Sequence, residues 1–221
     1  MATQLVTRER ETQMPRYGMV IDLKRCYGCF ACAMACKVKN HTPPGVFWAR
    51  VLKGETGKYP STVRQALPVL CMHCEEPSCM EVCPTGATQK LPNGIVVVEK
   101  EKCMGCKYCI MACPYGARYS VEAWESYFPD GLPLSPYELF AKCAWEEKFG
   151  VGVATKCDFC RDRLAEGKQP SCVVACPAKA RTFGDLDDLD SEVSILVRRH
   201  RATVLNPELG NQPKVYYLEP R

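Results

Sequence analysis

Cys103-Met-Gly-Cys106-Lys-Tyr-Cys109-Ile-Met-Ala-Cys113-Pro114 sets four thiols at the spacing C-x2-C-x2-C-x3-C, with a proline behind the last. Thiolate is a soft ligand that suits iron and sulfide, and no hard oxygen ligand interrupts the run. At this spacing three close thiolates grip three irons of one iron–sulfur cubane, and the fourth reaches a neighbouring cubane. The same spacing occurs at Cys26, Cys29, Cys32 and Cys36, where Lys37 stands in place of the proline. A second group, Cys71, Cys74, Cys79 and Cys83 followed by Pro84, has four residues between its middle pair. The last group is Cys157, Cys160, Cys172 and Cys176 followed by Pro177, with an eleven-residue insertion after Cys160.

Cysteine makes up 17 of 221 residues. Its grouping in fours suits metal ligation better than a disulfide framework. Structural zinc also uses C-x-x-C pairs, but it needs neither three cysteines in one x2-x2 run nor the trailing proline. A thioredoxin-like site would want one C-x-x-C beside a βαβ pattern, which is absent. The lone Cys143 is expected as a small buried hydrophobe. His73, between two ligands, is expected to hydrogen-bond rather than ligate, and His41 and His200 are expected at the surface. No acid–base pair or nucleophile–base constellation stands out, Asp22 included, so no catalytic residue is assigned. Lysines and arginines near the groups would tune cluster potentials through charge and hydrogen bonds, without the sequence saying which.

The elements that must hold these thiols are short. Tyr17–Leu23 reads as a strand leading into the first group, and Ala31–Lys39 as a helix stopping before Pro43-Pro44. Val46–Leu52 and Thr62–Leu70 read as a hairpin through Gly54 and Gly57 that would cover one cluster. Leu91–Glu99 reads as a second hairpin, with a Pro-Asn-Gly turn before Ile95-Val96-Val97-Val98. Residues 119–156 hold eight aromatics and no cysteine group. They read either as a satellite core or as a docking surface. Within them Ser135–Phe149 suits a helix, with Ser135 as N-cap and Pro136 at its first position. Residues 191–201 suit a last helix, and 206–221 an extended tail.

Each two-cluster ferredoxin unit needs two groups, because fourth cysteines cross over. The second and third groups pair naturally, since one hairpin joins Cys83 to Cys103; sequential pairing also fits the spacing. The expected fold is α+β, loop-rich, with two nested bacterial-type two-cluster ferredoxin-like domains. The outer domain would take 16–60 and 150–205, and the inner one 61–118. An aromatic-rich insertion would span 119–149, an N-terminal tail 1–15 and a C-terminal tail 206–221.

The order of the four groups resembles the four-cluster electron-transfer (beta) subunits of complex iron–sulfur molybdoenzymes. The likeness is greatest to those of polysulfide, thiosulfate, dimethyl sulfoxide and arsenate reductases. The marks are Tyr17-Gly-Met-Val-Ile-Asp22, Cys71-Met-His-Cys74, Cys83-Pro-Thr-Gly86, Cys113-Pro-Tyr-Gly116, Lys156-Cys-Asp-Phe-Cys160, Phe183-Gly-Asp185 and Lys214-Val-Tyr-Tyr217. The 120–155 segment is longer than the family leads one to expect. The resemblance implies four [4Fe-4S] clusters in nested pairing. The first would take Cys26, Cys29, Cys32 and Cys176; the second, Cys157, Cys160, Cys172 and Cys36. The third would take Cys71, Cys74, Cys79 and Cys113; the fourth, Cys103, Cys106, Cys109 and Cys83. Some relatives carry tryptophan at the position of Cys106 and hold a three-iron cluster, so Cys106 implies four irons here. The resemblance further implies a molybdopterin catalytic partner at the first cluster and an integral-membrane quinone-interacting subunit at the fourth.

The formal charge is +4 with thiols counted neutral, and four oxidised cubanes would add about −8. The basicity therefore argues for no nucleic acid partner, and no direct small-molecule substrate is expected. No apolar run approaches the ~20 residues of a membrane span. Residues 1–16 show no signal peptide, and Glu9 separates Arg8 from Arg10. The expected location is peripheral to a membrane, on the cytoplasmic face or exported with a signal-bearing partner. The expected role is non-catalytic electron transfer. The alternatives are an iron–sulfur structural subunit of a non-redox complex, or the electron-transfer subunit of a hydrogenase or formate dehydrogenase.

Overall fold

Tyr17–Asp22 is an apolar, extended run, and in the computed structural model it forms strand β1 with Met19, Val20 and Ile21 buried. The structure describes residues 14–128 and 131–219. The tail expected over 1–15, with Arg8 and Arg10, lies almost wholly outside them. After β1 come helix α1 (Ala31–Asn40), strands β2 (Arg50–Thr56) and β3 (Val63–Val69), and the one-turn helix α2 (Ser78–Glu81). Strands β4 (Thr88–Lys90) and β5 (Val96–Val98), helix α3 (Tyr108–Met111) and strand β6 (Tyr119–Ser120) follow. Then come α4 (Pro136–Lys148), β7 (Ala154–Thr155), α5 (Arg161–Ala165), α6 (Ser171–Val174), β8 (Arg181–Asp185), α7 (Glu192–Arg199) and β9 (Val215–Leu218).

β1 is the central strand of a three-stranded sheet, antiparallel to β8 and parallel to β9. The last strand of the described chain is thus hydrogen-bonded to the first, with Met19 opposite both Phe183 and Val215. The segment expected as an extended tail lies along β1 as this strand. The two expected hairpins are present as β2–β3 and β4–β5. In the second, Gly94 N–H donates to Leu91 O at 2.8 Å and Asn93 Oδ1 accepts from Ile95 N–H at 3.1 Å, which closes the turn.

The strand expected from Val46 begins only at Arg50. The Val46 carbonyl already accepts from Thr42 Oγ1 and Lys37 Nζ, at 3.0 and 3.2 Å, so it has no need of a strand partner. Trp48 turns inward instead, 2% exposed, edge-on to Phe149 and 5.6 Å from the Trp145 ring.

α4 starts on a full capping box: Ser135 Oγ accepts from Glu138 N–H while the Glu138 carboxylate accepts from Ser135 N–H. Its buried stripe is Glu138, Ala141 and Trp145. Cys143 falls off that stripe and is exposed, against the expectation of a buried hydrophobe. The aromatic segment divides in the same way. Trp145 is fully buried in the main core, whereas Tyr127, Phe128, Tyr137 and Phe140 stay exposed. His41 departs from the expected surface position: it closes α1 half-buried, 5.1 Å from the Phe140 ring in an edge contact. His200 is exposed, as expected.

Candidate metal centres

The cysteine runs are held open by left-handed turns. In the first group Gly28 and Phe30 have φ of 72° and 63°; in the third, Gly105 and Lys107 have 74° and 64°. Left-handed residues on either side of a cysteine turn the backbone N–H groups around it toward a common centre, a concavity suited to an anion such as an iron–sulfur cluster. At Gly105 a Cβ would also sit 2.5 Å from the Gly152 carbonyl, so glycine is required there twice over.

The thiols gather across groups. One cavity is lined by Cys26, Cys29 and Cys32 together with Cys176, the last cysteine of the fourth group, and is covered by Val51 and Pro68 of the β2–β3 hairpin. A second is lined by Cys71, Cys74 and Cys79 together with Cys113, the last of the third group. Cys157, Cys160, Cys172 and Cys36 form a third gathering: burial raises the Cys157 thiol well above its ordinary pKa, and nearby Cys36, Cys172 and Cys160 raise it further. Cys109 is raised by burial too, against the pull of Arg118, and feels Cys103 and Cys83. Cys106 stands exposed.

These gatherings have neighbours in a definite order. Cys172, pushed up to about 11 mainly by burial, feels Cys32 of the first gathering. Cys157 feels Cys71 of the second cavity. Arg118 donates from Nη2 to Cys79 Sγ at 3.0 Å and also reaches Cys109. These contacts run from Cys32 to Cys172, from Cys157 to Cys71, and through Arg118 from Cys79 to Cys109.

The donor set fits iron–sulfur clusters. Cys74 is pushed up to about 12, chiefly by burial and then by Cys71 and Cys79. A thiol so disposed ionises only with a metal to take its charge. Backbone N–H groups donate to cysteine sulfurs, from Ala180 to Cys176 at 3.3 Å and from Ala154 to Cys103 at 3.5 Å. Among the described residues no three His, Cys, Asp or Glu side chains close on a point where one ion would sit; eight of the cysteines line two cavities instead.

Around the sites stand residues that sequence reasoning weighs for a role, His73 and Asp22, and others, such as Phe159 and Asn40, that it does not. His73 accepts at Nδ1 from Val96 N–H at 3.1 Å, the expected hydrogen-bonding role, and burial holds its pKa well below the ordinary histidine value. Its ring stacks at 3.8 Å on Phe159, so residues inside Cys71-x-x-Cys74 and Cys157-x-x-Cys160 meet face to face. Asn40 donates to the carbonyl and sulfur of Cys36, at 2.9 and 3.5 Å. Lys156 Nζ, buried, donates to the carbonyls of Val96 and Cys157. Asp22 Oδ1 accepts from Lys24 N–H at 2.9 Å and shapes the approach to the first group.

Comparison with known proteins agrees with this chemistry. The family model of the 4Fe-4S dicluster domain matches residues 62–127 and 134–186. A selenate reductase subunit of Mesobacillus selenatarsenatis is 43% identical over 90% of this chain and 70% of its own. The putative iron–sulfur subunit of a dimethyl sulfoxide reductase from Halobacterium salinarum is 42% identical over 93% of this chain and 79% of its own. The arsenate respiratory reductase iron–sulfur subunit ArrB of a Shewanella species is 38% identical over 92% of this chain and 96% of its own. No helix among the described residues is long and apolar enough to cross a membrane. With ferredoxin-like cysteine sites and relatives of this kind along nearly all its length, the chain belongs to the iron–sulfur (beta) subunits of the complex iron–sulfur molybdoenzyme family, as a non-catalytic electron-transfer subunit.

Proposed function

We propose that the chain carries four [4Fe-4S] clusters in nested pairing and passes electrons along them in a single file. The clusters would be held by Cys26, Cys29, Cys32 and Cys176; by Cys157, Cys160, Cys172 and Cys36; by Cys71, Cys74, Cys79 and Cys113; and by Cys103, Cys106, Cys109 and Cys83. The observation that carries this is the crossover of last cysteines, Cys176 into the cavity of the first group and Cys113 into that of the second. The clusters supply one-electron chemistry when bound. The protein's part is to space them, keep water away with buried groups such as Phe159 and Trp48, and aim N–H donors at their sulfurs. The inner domain, 61–118, would be inserted into an outer one formed by 16–60 and 150–205, with the 119–149 segment and the 206–221 tail added.

The catalytic partner would hold a molybdenum or tungsten pterin cofactor beside the first cluster, and an integral-membrane, quinone-reactive subunit would meet the fourth. The support is the relatives, which are named as subunits of selenate and arsenate respiratory reductases. The location follows as peripheral to a membrane within that complex. Anaerobically purified complex should contain, in this chain, about sixteen irons and sixteen acid-labile sulfides, with zinc near absent. Dithionite should bleach the clusters and a quinone analogue should restore their colour. Stoichiometric zinc would overturn the cluster reading, and clusters that bleach but do not re-oxidise would overturn the relay.

A further inference from the structure

Arg118 and Arg181 occupy equivalent places. Each lies five residues beyond the last cysteine of its group, in Cys113-Pro-Tyr-Gly-Ala-Arg118 and Cys176-Pro-Ala-Lys-Ala-Arg181. Both are buried, 3% and 4% exposed. Arg118 Nη2 donates to Cys79 Sγ at 3.0 Å, and Nη1 to Thr88 Oγ1 at 3.1 Å. Arg181 Nη2 donates to Cys32 Sγ at 3.4 Å, and Nη1 to Met19 Sδ at 3.6 Å. Each also reaches a thiol of the adjoining set, Cys109 for Arg118 and Cys172 for Arg181.

An arginine side chain cannot shed its proton to escape burial. A buried cation without a compensating anion is costly. Among the described residues neither guanidinium forms an ion pair with a carboxylate, and Arg118 Nε has no partner at all. Sulfur is what faces both. The counter-charge that fits is the net negative charge of thiolate-ligated cubanes on either side.

We infer that Arg118 and Arg181 set the reduction potentials of the clusters, each guanidinium shared by the two clusters of one ferredoxin-like unit and making both easier to reduce. The inference rests on the four-cluster reading above. One electron added to a cubane deepens its negative charge, and a fixed cation in a low-dielectric site favours that state. Thr88 is the positioning residue that holds the Arg118 fork in place; Met19 contacts the Arg181 fork in its stead.

The test is a potentiometric titration followed by electron paramagnetic resonance on the whole complex, with iron and sulfide counted in each sample. Arg118→Met should lower the reduced-to-oxidised ratio of two clusters at least tenfold at a fixed potential, about 59 mV for a one-electron couple, and leave the other two in place. Arg181→Met should move the complementary two. Arg→Lys at either position keeps the charge and should restore most of the shift. Should the Met variants lose iron, Arg→Gln and Arg→Lys decide: Gln shifting and Lys holding supports the inference, while equal behaviour overturns it in favour of packing alone. Full iron with unmoved midpoints, or all four midpoints moving together, also overturns it. Wild-type complex showing fewer than four cluster signals would instead bring down the four-cluster reading itself.

Discussion

The region from Cys71 to Arg118 assembles its thiols from its own neighbourhood, whereas the region around Cys26 and Cys176 is closed by pairing β1 with strands far along the sequence. In the first, the β4–β5 hairpin brings Cys83 to Cys103 across 20 residues. In the second, Cys36 and Cys157 are 121 residues apart, and α1 packs on α6 while β1 lies between β8 and β9. The loop-closure difference between these two spans is only about 1.6 kcal/mol. Length by itself therefore penalises the long-range region little. What distinguishes the two is how many contacts remain if one ligand is lost: a local hairpin persists, a remote closure does not.

The sharpest way to break this comparison is to remove the ligand that ties the groups together in each region. Cys36→Ala should cost a whole cluster, about four irons of about sixteen, because α1 and α6 lose their shared anchor. Cys83→Ala should cost about one iron, since the hairpin still presents the other three thiols. Iron and sulfide analysis of both variants decides, and equal losses would erase the distinction.

Trp145→Ala comes next. Trp145 is fully buried against Trp48, in the segment that leads into β2. Its truncation should cost about 3–5 kcal/mol, and hydrogen exchange should speed up over 46–51 and leave Val96–Val98 protected. Uniform deprotection of both would mean the regions unfold as one.

Cys106→Ser is milder. Serine oxygen is a harder and poorer ligand here than thiolate. With Cys103, Cys109 and Cys83 still present, a three-iron cluster of raised potential is expected in a folded protein. Quinone-coupled turnover should fall while a dye exchanging electrons at the catalytic subunit still supports activity. Both activities falling with four intact cubanes would remove Cys106 from the electron path.

The smallest effect belongs to the joint between the regions. Lys214, 1% exposed, donates to Glu75 at 2.8 Å, and its backbone bonds both Met72 and Met19. Hydrogen bonds from Lys214 and Lys90 hold the Glu75 carboxyl down to about 2, from an ordinary 4.5. A carboxyl lowered on folding stabilises above its ordinary value, and that contribution is lost as pH falls toward about 2. Being partly exposed, the pair should contribute less than about 1 kcal/mol. Exchange protection of the Lys214 amide, corrected for intrinsic rate, should fall between pH 5 and 3 (roughly the upper half of that window) and lose this slope in Glu75→Gln. Parallel slopes would refute the linkage.

Much of this was legible beforehand because cysteine spacing, the Pro-Asn-Gly turn and the Ser135 capping box are local signals. The sixteen thiols were assigned by spacing and resemblance, and the structure gathers eight of them into two cavities that follow the crossed pattern. The parallel pairing of β9 with β1 was not legible, since four residues near one end carry no trace of their partner near the other. Nor was the exposure of Cys143, which depends on which face α4 turns inward. Arg118 and Arg181 did leave a signal, the repeated offset of five residues from Cys113 and Cys176; it takes the buried sulfur contacts to give that offset meaning.

The sheet around β1 has a consequence for biosynthesis. Both neighbours of β1 come from residues 181–218, so the strand leaves the ribosome long before anything it pairs with. At about 5–20 residues per second, it waits about 10–40 s for β9. The region holding Cys71 to Cys113 is fully synthesised well within that interval. Cluster insertion should then run from the middle of the chain outward, with the first cysteine group kept accessible to a scaffold or chaperone until β9 is made.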